Sequence, residues 1–534
     1  MKKLVLLLLL AAAGLQAQAA EQYPDALYVV GDATSYNWGG NPPSDAPSLY
    51  KKSDKVYEGF IYFDYKGGEL KFLVTNAYDQ GQWGPNTNGS SITTTEVKDV
   101  SYVSGNSPDN KYIFNLDIGL YLITADLGKT EITFKKWESS DVYEIGTFAQ
   151  LKAFADGVNK YDATINAKLT ADITEAMSYE IGWYDSDSNN KLYSGEFNGD
   201  GHTVTLGIDA YGNNKGLFGA AKGGAYIHDI IVAGSVKAEA KVGGVIGYAD
   251  GGGTITLTNV INTATIQATG SDYANAAGLV GTAVNNTVIA ATNCANMGTV
   301  SGQNGQCAAF AGWTQTNGGT GDALVKTTFT NCWNSGTIYN MDNNCNLYRN
   351  TDCVTATNCY DATGVSTYTQ GTLLANSAVA SGELCAKLGF GFRQNLEADS
   401  YPNFDVTHGF VVQIGSAKYS TMFNTASDVV IPSGVEAFVG SVNGETLTLS
   451  SITNNIAKEE PVVLKGTEGL YNFMPTSGIT KASANDLKGS NGSITGGTGI
   501  YALASKTGGV GFYPVGSSVT ITKGKAYLEY TASE

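Results

Sequence analysis

Two tryptophans stand in loops built of glycine, asparagine and proline. Trp38 lies in Gly31-Asp-Ala-Thr-Ser-Tyr-Asn-Trp-Gly-Gly and Trp83 in Asp79-Gln-Gly-Gln-Trp-Gly-Pro-Asn. Between them the run Lys71-Phe-Leu-Val-Thr carries an amine, and Asn76 and Asn86 flank the second loop. An indole offers a flat apolar face, while amines and amides supply hydrogen-bond partners at its rim. A sugar ring needs that combination, because one face is C–H and its hydroxyls must stay paired. An indole in such a loop can equally be a plug over the end of a sandwich, so the residues alone leave both uses open.

The elements around these residues read as strands. Ala26-Leu-Tyr-Val-Val, Val56-Tyr-Glu-Gly-Phe-Ile-Tyr-Phe, Glu69-Leu-Lys-Phe-Leu-Val, Lys111-Tyr-Ile-Phe-Asn-Leu and Gly119-Leu-Tyr-Leu-Ile-Thr-Ala-Asp-Leu alternate with Gly, Asn and Pro turns, which predicts a small antiparallel β-sandwich over 21–137. The order Gly31-Asp-Ala-Thr, Trp38, Lys71-Phe-Leu, Trp83 resembles the starch-binding domains of the SusE and SusF outer-membrane proteins of glycan-degrading Gram-negative bacteria. That resemblance implies a glucan site made by Trp38, Lys71 and Trp83, and outer-membrane glycan-uptake proteins as partners; Asn76, close to these loops in the sequence, is a candidate rim contact. Those proteins are lipoproteins with tandem sugar domains. This chain has one such domain and its first cysteine is Cys294, so the kind of sugar is less determined than sugar binding.

A repeat organises the middle of the chain. Leu257-Thr-Asn-Val-Ile-Asn, Ala291-Thr-Asn-Cys-Ala-Asn, Phe329-Thr-Asn-Cys-Trp-Asn and Ala356-Thr-Asn-Cys-Tyr-Asp share one pattern, and Ile227-His-Asp-Ile-Ile-Val fits it more loosely. A second series, Gly216-Leu-Phe-Gly, Gly244-Val-Ile-Gly, Gly278-Leu-Val-Gly and Ala309-Phe-Ala-Gly, alternates with the first. The pattern asparagines are 34, 38 and 27 residues apart, too uneven for a fixed helical array and tolerable in a coiled β-solenoid. Stacking would put Val260, Cys294, Cys332 and Cys359 in an inward column, with the asparagines forming a turn ladder beside it. The second series resembles the GLUG repeats of secreted bacterial right-handed parallel β-helices, over residues 141–405. A short amphipathic helix from Phe148 is expected over the open end, Phe197-Asn-Gly-Asp-Gly-His resembles a first-turn signature, and the segment 381–404 resembles one that closes the far end.

Parallel coils also carry lyases and hydrolases, so catalysis has to be weighed. A uronate lyase needs an Arg or Lys base and cation ligands, yet the arginines are Arg349 and Arg393 only. A hydrolase needs paired carboxylates, and from Gly251 to Asp361 the acids are Asp272, Asp322, Asp342, Asp352 and Asp361, none paired in a strand motif. Asp200 and His202 read as turn chemistry, Asp185 and Asp187 as a solvated loop, and three histidines cannot build a zinc cluster. No catalytic residue, metal or cofactor is expected.

Met1-Lys-Lys, the apolar run Leu4–Leu15 and Ala17-Gln-Ala19 form a secretory signal peptide, over 1–20. Removing Lys2 and Lys3 with it takes the formal charge from −17 to −19, which argues against nucleic-acid and anionic-membrane partners. The seven cysteines all lie between Cys294 and Cys385, an odd number whose pairing is not readable. Residues 406–534 hold eight strand-like runs and predict a second sandwich. The expectation is thus an all-β, exported, non-enzymatic protein: an N-terminal β-sandwich (21–137), a central right-handed parallel β-helix with short capping helices (141–405) and a C-terminal β-sandwich (406–534). Its partner would be a polysaccharide or oligosaccharide, a glucan first, at the outer-membrane surface or outside the cell. The competing expectations are a polysaccharide lyase or hydrolase and an adhesin using the coil.

Overall fold

The computed structural model describes residues 22–38, 46–105, 107–185, 190–271, 274–303, 306–315, 326–339, 345–368 and 370–531. The signal peptide expected at 1–20 lies outside them, as do Asp187, Asp272, Asp322 and Asp342. The chain is β-rich throughout, with a solenoid of about 6 turns at its centre.

All five N-terminal runs are strands, and they belong to one 11-stranded sheet. The path through that sheet begins at Ser90–Ile92 and ends at Glu96–Val97. A short turn joins these two strands in the chain, so the sheet must roll round until its edges meet. Rolling encloses a core in which Phe63 and Phe114 stack 4.0 Å apart, together with Phe72, Tyr57 and Phe134.

Thr147 caps the helix Phe148–Lys160 by accepting the backbone N–H of Gln150. Its buried face, including Leu151, Phe154 and Val158, closes the first turns of the coil against Phe197 and Tyr193. The helix also packs on the outside of the rolled sheet, so Phe60, Leu120 and Trp137 share one apolar cluster with the coil. Gly157 makes this junction possible: a Cβ there would stand 2.8 Å from Phe60 Cδ2 and 2.9 Å from Ile165 Cδ1. Beneath it the buried Glu58 carboxylate accepts from Tyr143 (2.8 Å), Thr124 (3.1 Å) and Gln150 (3.2 Å) and pairs with Lys52.

The coil has one long parallel sheet of 17 strands and two of four. Its repeats stack residue on residue. Ile246, Val280 and Ala311 pair in register from the second series, and Phe329 sits between Ala291 and Ala356 in the first. Each pattern asparagine takes the left-handed conformation, φ 54° at Asn259 and Asn293 and 58° at Asn331, which asparagine adopts at lower cost than most residues. The amides then form a ladder: Asn293 donates to Asn259 (3.0 Å), Asn331 to Asn293 (2.8 Å) and Asn358 to Asn331 (2.6 Å). A second ladder runs inside, from Asn262 to Asn296 (2.8 Å) and from Asn296 to Asn334 (2.9 Å). Cys294, Cys332 and Cys359 are buried free thiols in one column, and burial holds the Cys332 thiol far above its usual range.

The segment expected to close the far end lies elsewhere. Leu384, Cys385, Leu388 and Phe392 pack against Ile261, Ala295, Trp333 and Tyr360, which are equivalent positions on four successive turns. Those side chains point outward from the coil and are apolar, so a flank had to be covered. The end itself is crossed by the strand Thr372–Leu373, paired with Tyr360–Asp361, and by Gln370, which accepts the N–H groups of Leu347 and Tyr348.

All eight C-terminal runs are strands and, with five others, they form antiparallel sheets of two, four, three and four strands. Phe410, Ile414, Val462 and Phe473 make one core and Val463, Leu487 and Leu528 a smaller one.

Candidate functional site

Strand parity decides the fate of the two tryptophans. On the strand Glu69–Leu73, Lys71 and Leu73 face outward and Phe72 faces the core. The neighbouring strand Gln82–Gly84 pairs Phe72 with Trp83 and Leu73 with Gln82. Trp83 is therefore turned inward and Gln82 outward. Trp83 is 3% exposed, its ring lies 5.7 Å from Tyr23 and 5.4 Å from Tyr102, and Nε1 donates to the Gln22 carbonyl. The expected loop is a strand and the expected platform is a core side chain. A three-residue strand between glycines and a proline gives no periodicity by which the sequence could reveal it.

Trp38 stays at the surface. Its loop is closed by backbone bonds from Gly31 to Asn37 and from Asn37 to Thr34, and the Glu69 N–H donates to Asp32 Oδ1 at 2.6 Å. Gly31, at φ 134°, sits where a Cβ would meet the Glu69 carbonyl. The loop is thus pinned to the start of the lysine strand, and Trp38 is half-buried beside it with Tyr36, Tyr78 and Tyr28 around Val30 and Leu73. The Tyr78 hydroxyl donates to the Trp38 carbonyl.

Lys71 lies behind this aromatic group. Only 3% exposed, its ammonium donates to Gln82 Oε1 (2.7 Å) and the Ser107 carbonyl (3.0 Å). It stands 5.9 Å from the Trp38 ring centre and 5.6 Å from that of Tyr78. Burial, with Lys111 nearby, pulls it down to about 8 against the opposing pull of Glu69. Lys111 bonds Glu69 at 2.7 Å and lies 5.3 Å from the Trp38 ring centre.

Of the expected residues, the structure brings Trp38 and Lys71 together. Asn76 is exposed on the loop that also carries Tyr78. Asn86 is spent on Asp99, which accepts its side chain at 2.6 Å and its backbone N–H at 2.9 Å. Tyr78, Gln82 and Lys111 join the site without having been singled out. Gln82 was legible in principle, since it precedes Trp83 and must face the opposite side.

The coil's chemistry-bearing residues are engaged in structure. Arg349 stacks on Trp313 (5.4 Å) and donates to Asn275 Oδ1 (2.9 Å). Arg393 donates to the carbonyls of Val406 and His408. His202 faces Asp172 at 3.3 Å, and Asp200 pairs with Lys168 at 2.9 Å. Asp361 takes the place of an inner-ladder asparagine, accepts from Asn346 at 2.7 Å and is pushed upward by burial. Among the described residues no three His, Cys, Asp or Glu side chains gather as metal ligands, and no helix is long and apolar enough to cross a membrane. Comparison with protein-family models, curated proteins and solved structures gave no match.

Proposed function

We propose that this chain is an exported, non-enzymatic glycan-binding protein that takes a starch-like α-glucan on the Trp38 face of its N-terminal domain. One observation carries the reading: a partly exposed indole flanked by tyrosines stands over a buried ammonium whose acceptors among the described residues are neutral, Gln82 Oε1 and the Ser107 carbonyl. The indole supplies the stacking surface, the Tyr78 hydroxyl oxygen accepts from a sugar hydroxyl, Lys111 supplies a donor, and Lys71 supports the aromatic face from behind. Asn76, exposed on the loop that carries Tyr78, serves as a rim contact. The coil acts as a stalk, and outer-membrane glycan-uptake proteins are its natural neighbours.

The test is calorimetric titration of the full chain with maltoheptaose, beside Trp38→Ala. Saturable binding lost in the variant supports the reading. A flat titration of folded wild type ends the starch assignment. Release of reducing ends or unsaturated products from a glycan panel would replace binding by catalysis, and capture of immobilised mucin that survives deletion of the N-terminal domain would favour adhesion through the coil.

A further inference from the structure

A cleft of about 890 Å3 lies where the coil, its flanking segment and the C-terminal domain meet. Its floor is the outer asparagine ladder together with the threonines that precede each rung: Thr292, Thr330 and Thr357. These threonines pair in register and are exposed, so their hydroxyls recur at the rung spacing of about 4.8 Å. Each ladder amide has two N–H groups and two carbonyl lone pairs; stacking uses one N–H and one lone pair on the rungs before the last, and on the last the Tyr360 hydroxyl donates to the Asn358 oxygen at 2.6 Å. The floor is a regular row of hydroxyl and amide groups that a repeating hydroxylated chain can follow unit by unit.

The walls differ from the rest of the molecule in charge. The chain holds 49 acidic and 32 basic residues, yet the described residues lining the cleft include Lys387, Lys523 and Lys525 and no carboxylate. Lys525 is lowered by burial alone, and its ammonium lies 3.4 Å from Ser420 Oγ and from the Thr421 carbonyl. Lys387 has Glu383 at 3.7 Å, outside the lining. Phe390 also lines the cleft, its ring packed 5.1 Å from that of Phe410 and over Gly524. The volume suits a few sugar units.

We propose that this cleft is a second glycan site, distinct from the Trp38 face, that takes an acidic oligosaccharide bearing carboxylate or sulfate groups. The threonine and asparagine rows meet its hydroxyls, and the lysines meet its charges. In an acidic protein, an acid-free cleft attracts such a chain that the rest of the surface repels.

The test titrates the full chain with three probes: oligogalacturonate for carboxylate, a heparin-derived oligosaccharide for sulfate, and maltoheptaose as the neutral control. Wild type, Lys387→Gln/Lys523→Gln, Thr330→Val and Trp38→Ala are compared, with unfolding midpoints as the check on folding. The expected result is saturable binding of at least one acidic probe, weakened tenfold or more in the double lysine variant, weakened less in Thr330→Val, and unchanged in Trp38→Ala. Which acidic probe binds separates uronate from sulfate. Absence of acidic binding overturns the proposal, as does wild-type affinity in both the lysine and threonine variants. Loss of acidic binding in Trp38→Ala overturns the separateness of the two sites.

Discussion

The coil and the N-terminal sheet dispose of similar polar side chains in different ways. In the coil an asparagine amide meets the same amide one turn away, because repetition places a copy of each residue above itself. On the rolled sheet nothing repeats, and Lys71 is satisfied by an unlike pair, Gln82 and the Ser107 carbonyl, beneath an indole. A repeated polar residue is accounted for by its own stacking. A polar group placed once, beside an aromatic face, has no such internal reason and is where recognition chemistry is sought. The same logic picks out the lysine cleft, where a repeated floor meets walls that do not repeat.

The two tryptophans give the strongest way to break this comparison. Trp83→Ala empties a core position and should lower unfolding free energy by about 3–5 kcal/mol in denaturant titration, whereas Trp38→Ala should leave the midpoint nearly unmoved. Equal losses would mean that Trp38 too is a plug. Next in size is Asn296→Leu in the inner ladder. It removes the partner of one Asn262 N–H and one donor to Asn334 Oδ1, both buried, while their bonds to the Ala264 carbonyl and the Gly336 N–H remain, and about 2 kcal/mol of stability should go with them. A change within experimental error would show that the ladder is not what holds adjacent turns in place.

Trp38→Ala sharpens the comparison from the binding side. Maltoheptaose affinity should fall by about 1 to 2 kcal/mol with stability preserved, as for truncation of a stacking aromatic; undiminished affinity removes the face from consideration. A pH profile tests Lys71. Folding lowers its pKa to about 8 from an unfolded value of about 10.4. Across that window the unfolded chain holds a proton that the folded one has released, so stability rises with pH. Urea midpoints of wild type minus Lys71→Met, followed through the window, should show that rise, and parallel curves would place the lysine in solvent.

The sequence by itself determined that the chain is β-built around a central coil, and that the coil stacks Asn on Asn and Cys on Cys, because a repeat states its own neighbours. It also put Trp38 and Lys71 in one expected site, although two strands, Ser48–Ser53 and Val56–Phe63, separate them in the chain. Only the tertiary structure decided that Trp83 is core, since one residue of register on a three-residue strand turns it away from Lys71 and brings Gln82 out instead. Only the tertiary structure laid the 381–404 segment along the coil's flank, where Ile261, Ala295, Trp333 and Tyr360 form an outward apolar column that no single repeat reveals. Local patterning specifies elements and periodic contacts; which face of an unrepeated strand is buried depends on partners far away in the chain, and those are fixed only when the whole surface is folded.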